Sequence, residues 1–264
     1  MFPVITSLTR HWRLIAEMTR REILSQIKGS FGGILWPLLQ PLLLLAIFAF
    51  VFGEVLKVKW VRAGGTQDFV LLLFCGLIVF NFFGECLQRA PALVASRPSL
   101  VKKVVFPVET LAWVHVLQAL FTFTLSLGVL LLFTAALRGG LPWTVIFIPV
   151  VILPMLLAGL GVSWLVGAIA VFVRDVTQVV GPLVMALLFL SPVFFDLAAV
   201  PAGFRAAFAL NPLTPTIEQA RAALLDGKAP DPVQLGVGIV VAFLFAWFGL
   251  WFFRRAQPDF ADAL

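Results

Sequence analysis

The stretch GGLPWTVIFIPVVILPMLLAGLGVSWLVGAIAVFV, from Gly139 to Val173, contains no Asp, Glu, Lys or Arg. A helix that crosses the roughly 30 Å hydrocarbon core of a bilayer needs about 20 such apolar residues. The stretch is too short for two crossing helices and a turn, so it predicts one long or tilted span. We expect any loosening of this helix at Pro154, or at Gly159 and Gly161.

Five further stretches are free of charged residues in the same way: Gly29–Gly53, Phe69–Gly84, Thr110–Leu137, Val176–Phe195 and Pro232–Phe253. With one helix for each stretch, the sequence predicts an all-α integral membrane protein with six transmembrane helices. The second of these helices must continue through Glu85 and Gln88 to reach across the bilayer. Glu85 and Arg89 are then placed in the favourable order for a helical ion pair. Such a pair either snorkels at the membrane edge or has a functional role.

The composition excludes an ordinary soluble domain. Hydrophobic residues make up 61% of the 264 positions and charged residues 12%, against about 45–50% and about 25% in soluble domains. The net charge of +6 is spread between apolar stretches, which argues against nucleic acid and favours membrane lipid headgroups as the anionic neighbour. Cys75 and Cys86 lack metal-ligand spacing, so neither a metal site nor a disulfide scaffold is expected.

The distribution of the 19 basic residues predicts the orientation. With the N-terminus in the cytoplasm, twelve of them fall on the cytoplasmic side and seven on the outer side. Because cytoplasmic loops carry an excess of Lys and Arg, both termini are expected in the cytoplasm.

Residues 1–28 predict an amphipathic helix that lies in the membrane surface. The apolar face consists of Leu8, Trp12, Ile15, Ile23 and Ile27. The polar face consists of Arg10, Arg13, Glu17, Arg20 and Arg21. Its arginines also argue against a secretory signal peptide. The helix is either a plain anchor or a collar that contacts a cytoplasmic partner.

Two polar stripes fall inside the predicted spans, toward their cytoplasmic ends. The first stripe consists of Asn81, Glu85 and Gln88, and the second of His115, Gln118, Thr122 and Ser126. Polar groups at this depth face the bundle interior or a water-filled cavity. The stripes therefore either join helices by hydrogen bonds or line a conduit. No acidic residue lies within a helical turn of His115, which argues against a proton relay.

Aromatic residues are abundant, with 27 Phe and 8 Trp but no Tyr. Most of these rings are expected in the core or against lipid. Those near Asn81 could instead offer flat apolar surfaces to a passing ligand. We therefore expect a channel wall that includes Trp36, Phe80, Asn81 and Phe83.

The cytoplasmic loop Arg89–Glu109 is more apolar than a solvated loop needs to be. Its two prolines, Pro91 and Pro98, favour a short helix between them. We expect this helix to lie parallel to the membrane and to present Leu93, Val94 and Leu100.

The outer segment Asp196–Asp231 is also moderately apolar, although it contains four prolines and is followed directly by a fifth, Pro232. Two short helices fit its pattern, near Pro201–Leu210 and near Pro215–Leu225. We expect them to dip back into the bilayer or to pack on the mouth of the bundle.

Four stretches carry a family resemblance: IKGSFGGILWPLLQPLLLLAIFAFVFG at Ile27–Gly53, GLIVFNFFGECLQRAPALVASRPSLVKKVVFPVE at Gly76–Glu109, VGAIAVFVRDVTQVV at Val166–Val180, and SPVFF with ALNPLTPTIEQAR at Ser191–Phe195 and Ala209–Arg221. In this order they resemble the membrane subunits of type-two ABC exporters for bacterial surface polysaccharides. That family comprises O-antigen, capsule and teichoic acid permeases.

The resemblance implies a homodimer whose two six-helix halves form a channel, with a cytoplasmic ABC ATPase docked on each half. The ATPase would bind ATP and Mg²⁺, and this chain would hold neither a cofactor nor a catalytic site. The cargo would be a lipid-linked polysaccharide that crosses the bacterial inner membrane. Residues 1–264 would form one permease domain, with an interface helix at 1–28, a coupling loop at 89–109 and an outer gate at 196–231.

The resemblance also assigns individual residues to these parts. Coupling to the ATPase is implied for Leu93, Val94, Arg97, Leu100, Arg174 and Asp175. The outer gate is implied to contain Phe204, Asn211, Pro212, Glu218 and Arg221.

Other functions fit the sequence less well. It has no GxxxxGK[ST] pattern, so this chain does not bind ATP in the usual way. Export of a small lipid or drug is the alternative in the same class. A membrane-embedded transferase needs a convergent cluster of His, Asp, Glu or Lys, and a secondary transporter needs inverted repeats or a buried carboxylate. Glu85 is the single candidate for such a carboxylate in the spans, so the polysaccharide exporter is favoured.

Overall fold

The computed structural model describes residues 3–28, 35–55, 66–101, 106–201, 203–204, 208 and 211–263. All regular structure in these residues is helical, which confirms the predicted all-α class. The helices are α1 (Pro3–Arg10), α2 (Trp12–Lys28), α3 (Leu35–Phe48, continued as a π-helix over Ala49–Val55), α4 (Thr66–Arg89), α5 (Ala92–Ala95), α6 (Pro98–Val101), α7 (Thr110–Arg138), α8 (Ile148–Val151), α9 (Leu153–Phe172), α10 (Val176–Phe189), α11 (Leu213–Leu224), α12 (Pro232–Ala256) and α13 (Phe260–Ala263).

Four helical segments in the described residues are long and apolar enough to cross a membrane: Asp68–Arg89, Thr110–Arg138, Trp143–Phe172 and Pro232–Ala263. Two shorter apolar helices, Pro41–Val51 and Val176–Phe189, accompany them. The four long segments support a multi-pass membrane protein. The prediction that the second span continues through Glu85 and Gln88 is also confirmed, because α4 ends at Arg89.

Helix α4 lies at the centre of the bundle, where it contacts α3, α7, α9, α10 and α11. In its most apolar stretch 83% of the residues are buried inside the chain, against 22% in the segments that contain α7 and α12. The residues from Leu71 to Phe80 are buried throughout, whereas Asn81 and Gln88, nearer the C-terminus, are exposed. The two halves of α4 therefore have different surroundings.

Helices α9 and α12 pack along their lengths. At one contact a Cβ atom built on Gly249 would lie 2.5 Å from the backbone oxygen of Gly161. Small residues allow membrane helices to approach this closely. Of the two predicted points of loosening, the structure supports Pro154, because the helical path breaks at Ile152 and α9 is continuous through Gly161. Proline has no backbone N–H to donate to the preceding turn.

Polar contacts gather at the two ends of the bundle. At one end Glu22 pairs with Arg97, and Nη2 of Arg254 lies 3.0 Å from Oε1 of Glu109. We call this the loop end, because the loop between α4 and α7 lies here. At the opposite end Arg138 pairs with Asp68 at 2.5 Å and also donates to the backbone oxygen of Leu225.

The N-terminal region forms two helices, α1 and α2, where the sequence predicted one. Ile15 is fully buried and the arginines at 10, 13, 20 and 21 are exposed, as an amphipathic helix requires. Trp12, which was predicted on the apolar face of that helix, leaves 56% of its surface uncovered by this chain.

The span predicted at Val176–Phe195, the fifth in chain order, is shorter than its charge-free stretch. Helix α10 ends at Phe189, and residues 190–195 form turns. Pro192 explains this end, because a proline disfavours helical backbone in the residue before it. Beyond it, α11 confirms the helix predicted near Pro215–Leu225, whereas most of the helix predicted at Pro201–Leu210 lies outside the described residues.

Candidate functional site: a polar cavity beside helix α4

A cavity of about 540 Å³ lies between α3, α4, α7 and α10. Its volume falls within the roughly 300–1,000 Å³ of typical ligand pockets. The polar residues that line it are Asn81, Glu85, Gln88, Arg89, Thr122 and Ser126. Arg89 is the last residue of α4, so the cavity extends toward the loop end.

The α4 wall of the cavity contains the whole first polar stripe. Asn81, Glu85 and Gln88 recur at intervals of four and three residues, which places them on one helical face. Glu85 pairs with Arg89 at 2.8 Å, which confirms the predicted ion pair. Among the residues that the structure describes, neither the Asn81 amide nor the Gln88 amide has a hydrogen-bond partner. Each amide therefore presents a donor and an acceptor to the cavity.

The α7 wall contains only part of the second stripe. The Thr122 hydroxyl donates to the backbone oxygen of Gln118 at 3.4 Å, and the Ser126 hydroxyl donates to that of Thr122 at 3.0 Å. Both hydroxyl oxygens can still accept hydrogen bonds. Gln118 is buried and His115 is half-buried, and neither belongs to the lining. Within the described part of the chain, Nδ1 of His115 is buried without a hydrogen-bond partner.

Aromatic rings supply the apolar part of the wall. Phe80, Phe82 and Phe123 line the cavity, and the rings of Phe82 and Phe123 meet edge to face at 5.8 Å. Phe80, which was predicted for a channel wall, lines this cavity. Phe83 is buried and is not among the lining residues, and the side chain of Trp36 lies outside the described residues.

The loop between α4 and α7 differs from its prediction in one respect. Leu93 and Val94 are buried within this chain, so they are not presented to a partner. Leu93 packs on α9 so closely that a Cβ built on Gly167 would lie 2.9 Å from its Cδ2. The outward side of α5 instead exposes Ala92, Ala95 and the following Ser96.

The other residues assigned to coupling have different surroundings. Arg97 pairs with Glu22 of α2. Arg174 and Asp175 are exposed in the turn between α9 and α10. The side chain of Leu100 lies outside the described residues.

Arg221 is the most enclosed charged residue of the described part, with 1% of its surface exposed. Its guanidinium donates to the backbone oxygens of Leu72 and Val193 and to Oε1 of Glu218, each at 3.0 Å. These bonds join α11 to α4 and to the chain that follows α10. Gly76 leaves room for them, because a Cβ there would lie 2.7 Å from an Nη2 of Arg221. Sequence patterns placed Arg221 in an outer segment and gave no signal of this burial.

Asn211 makes a second connection at the same level. Its Nδ2 donates to the backbone oxygen of Leu190 and to the Ser191 hydroxyl, both at 3.0 Å, and its Oδ1 accepts from the backbone N–H of Leu213 at 3.0 Å. Pro212 directly precedes α11. Phe204, in contrast, has 65% of its surface exposed. Asn211, Glu218 and Arg221 are therefore linked to the bundle, and Phe204 is not buried by this chain.

Residues 13–225 match the family model of the ABC-2 type transporter. The chain is 26% identical to the O-antigen export system permease protein RfbA of Myxococcus xanthus over 100% of both chains. It is 23% identical to a protein of the same name from Klebsiella pneumoniae, over 95% of each chain. It is 25% identical to the polysialic acid transport protein KpsM of Escherichia coli, over 89% of this chain and 91% of that one. The family match covers most of the helical bundle, including α4, the loop after it and α11, and this chain therefore belongs to the membrane-protein family of ABC-2 type transporters.

Proposed function

We propose that this chain is the channel-forming subunit of an ATP-driven exporter that moves a lipid-linked polysaccharide across the bacterial inner membrane. The O-antigen and polysialic acid systems named above support the cargo class, because both carry polymers of sugars. The observation that carries the proposal is the cavity beside α4, whose lining combines aromatic rings with two amides that have no hydrogen-bond partner among the described residues.

The chemistry of this wall suits sugars. A sugar ring has hydroxyl groups at its edge and apolar C–H groups on its faces. The amides of Asn81 and Gln88 can exchange hydrogen bonds with hydroxyls in either direction, and the ring of Phe80 offers apolar surface. Among the described residues, the wall contains one carboxylate and one guanidinium, which pair with each other. This part of the wall therefore has no unbalanced charge that would select strongly for a charged residue of the polymer.

The chain alone does not enclose a path for a polymer. In the proposed homodimer, six spans of each copy contribute to a continuous channel, and the cavity forms one section of its wall. The two shorter helices, α3 and α10, complete the six spans. We place both termini and the loop end in the cytoplasm, as the positive-inside rule indicates.

Energy for transport is proposed to come from two copies of a cytoplasmic ABC ATPase that bind ATP and Mg²⁺. The exposed surface formed by Ala92, Ala95 and Ser96, together with the Arg174–Asp175 turn, is the proposed docking site. Leu93 and Val94 support this surface from behind.

The test is export in a host that lacks the native gene, with the chain and its ATPase supplied together. We expect polymer at the cell surface with the wild-type chain and lipid-linked polymer retained inside without it. Asn81→Ala should lower export at unchanged expression, since it removes a donor and an acceptor from the wall. Thr124→Ala is the matched control, because Thr124 is exposed on another face of α7.

Two results would contradict the proposal. If the deletion strain retained no lipid-linked polymer but failed to release a small lipid or drug, the cargo class would be wrong. If Asn81→Ala and Thr124→Ala both exported polymer at the wild-type rate, the cavity would not be part of the path.

A further inference from the structure

The pair formed by Glu22 and Arg97 connects two segments that are far apart in the sequence. Glu22 lies on α2, the second N-terminal helix, and Arg97 lies between α5 and α6 in the loop that follows α4. An Nη2 of Arg97 donates to Oε1 of Glu22. The side chains are partly shielded, with 26% of Arg97 and 33% of Glu22 exposed.

The same loop is fixed at its other end. The carboxylate of Glu109 accepts from Arg254 of α12 at 3.0 Å, and the backbone oxygen of Glu109 accepts from Nε1 of Trp164 on α9 at 3.0 Å. Before Arg97 in the sequence, Leu93 packs on Gly167. The inner side of the loop is thus held by α2, α9 and α12, and its outer side exposes small residues.

We propose that Glu22 and Arg97 are positioning residues that make α2 and the loop move as one body. The inference rests on the proposed function, in which an ATPase pushes on the loop. A cation that is already paired within the chain contributes little as a contact for a partner, and a partly exposed pair contributes little to overall stability. What the pair adds is a direct connection, through which displacement of the loop displaces the N-terminal helix.

A test independent of export uses Val94, a residue of the loop whose side chain is fully buried. In a Val94→Cys chain, the rate of maleimide labelling reports how often the loop lifts, and the native Cys75 and Cys86 are buried and contribute little background. Glu22→Arg and Arg97→Glu should each raise this rate roughly three- to tenfold, because an attraction is replaced by a repulsion. The double exchange Glu22→Arg/Arg97→Glu should restore the slow rate. Glu17→Arg, an equal charge change at an exposed position of α2, should leave it unchanged.

The second measurement is the amount of polymer exported per ATP hydrolysed by the complex with its ATPase. We expect this ratio to fall in each single exchange and to recover in the double exchange. The inference would be overturned if Glu22→Arg and Glu17→Arg gave the same labelling rate. It would also be overturned if the double exchange restored neither the slow labelling rate nor the amount of polymer exported per ATP. If the wild-type complex exported no polymer, the proposed function would fail, while the labelling rates would still decide whether the pair joins α2 to the loop.

Discussion

Replacing Arg221 by Lys should destabilise the helical bundle more than any other Arg-to-Lys or Lys-to-Arg substitution in the described residues. The guanidinium uses three separate nitrogens to reach Leu72, Val193 and Glu218, whereas a lysine ammonium places its donors at one point. A hydrogen bond from a charged group contributes about 1.5–3 kcal/mol. The bond to Glu218 counts for less, because that carboxylate is 24% exposed and can be solvated.

If Lys keeps one of the two bonds to backbone oxygens, the loss is roughly 2–4 kcal/mol. For a chain of this size, about 2–4 °C of Tm corresponds to 1 kcal/mol, so the apparent Tm of the purified protein should fall by about 5–15 °C. Fluorescence-detected size exclusion after heating measures it in detergent. Arg174→Lys is the matched control, because Arg174 is exposed. Equal Tm values for the two variants would refute the reasoning.

Gly76→Ala tests the same contacts from the opposite side. A methyl group there would lie 2.7 Å from an Nη2 of Arg221 and would displace the guanidinium. Gly128→Ala on α7 is its control, because a Cβ at Gly128 meets nothing within 4 Å. Since alanine favours helix over glycine by roughly 1 kcal/mol, we expect the control to keep or raise the Tm and Gly76→Ala to lower it. A Gly76→Ala protein as stable as Gly128→Ala would show that the Arg221 contacts are dispensable.

Two further predictions address packing and orientation. Gly249→Ala should lower the yield of folded protein, because its methyl group would lie 2.5 Å from the Gly161 oxygen. Gly236→Ala is the control and should leave the yield unchanged, because a Cβ there meets nothing within 4 Å. Equal size-exclusion profiles of the two variants would contradict this prediction. For orientation, a cysteine that replaces Lys228 should react with an impermeant maleimide in sealed cells. A cysteine that replaces Arg97 should react only after the cells are permeabilised. Labelling at position 97 in sealed cells would contradict the proposed cytoplasmic location of the loop end.

The features predicted correctly from the sequence depend on residues that are close to one another in it. Charge-free stretches locate the long helices, because the requirement for apolar side chains applies to each span separately. The Glu85–Arg89 pair and the stripe that begins at Asn81 follow from the helical repeat alone. The opening of a cavity beside this stripe agrees with one of the two interpretations that the sequence left open.

What the sequence did not reveal depends on residues that meet only in the folded chain. The inward side of α5 is set by Gly167, whose lack of a side chain admits Leu93. The burial of Arg221 depends on Gly76 and on backbone oxygens that are 149 and 28 residues away in the sequence. Backbone acceptors leave no trace in residue types, so no local pattern could have identified these partners.

The different surroundings of the two halves of α4 limit where a path can open. On the side of Asn81 and Gln88 the helix borders a cavity, whereas at Leu72 and Gly76 it is covered by α11 and by the chain after α10, which Arg221 joins to it. A path through this level within one chain would break the charged hydrogen bonds of Arg221, at about 1.5–3 kcal/mol each. A path between two copies would leave them intact. In the proposed homodimer, a polymer that enters the cavity would therefore cross at lower free-energy cost along the surface between the subunits, with α4 and α11 of each copy moving together as its wall.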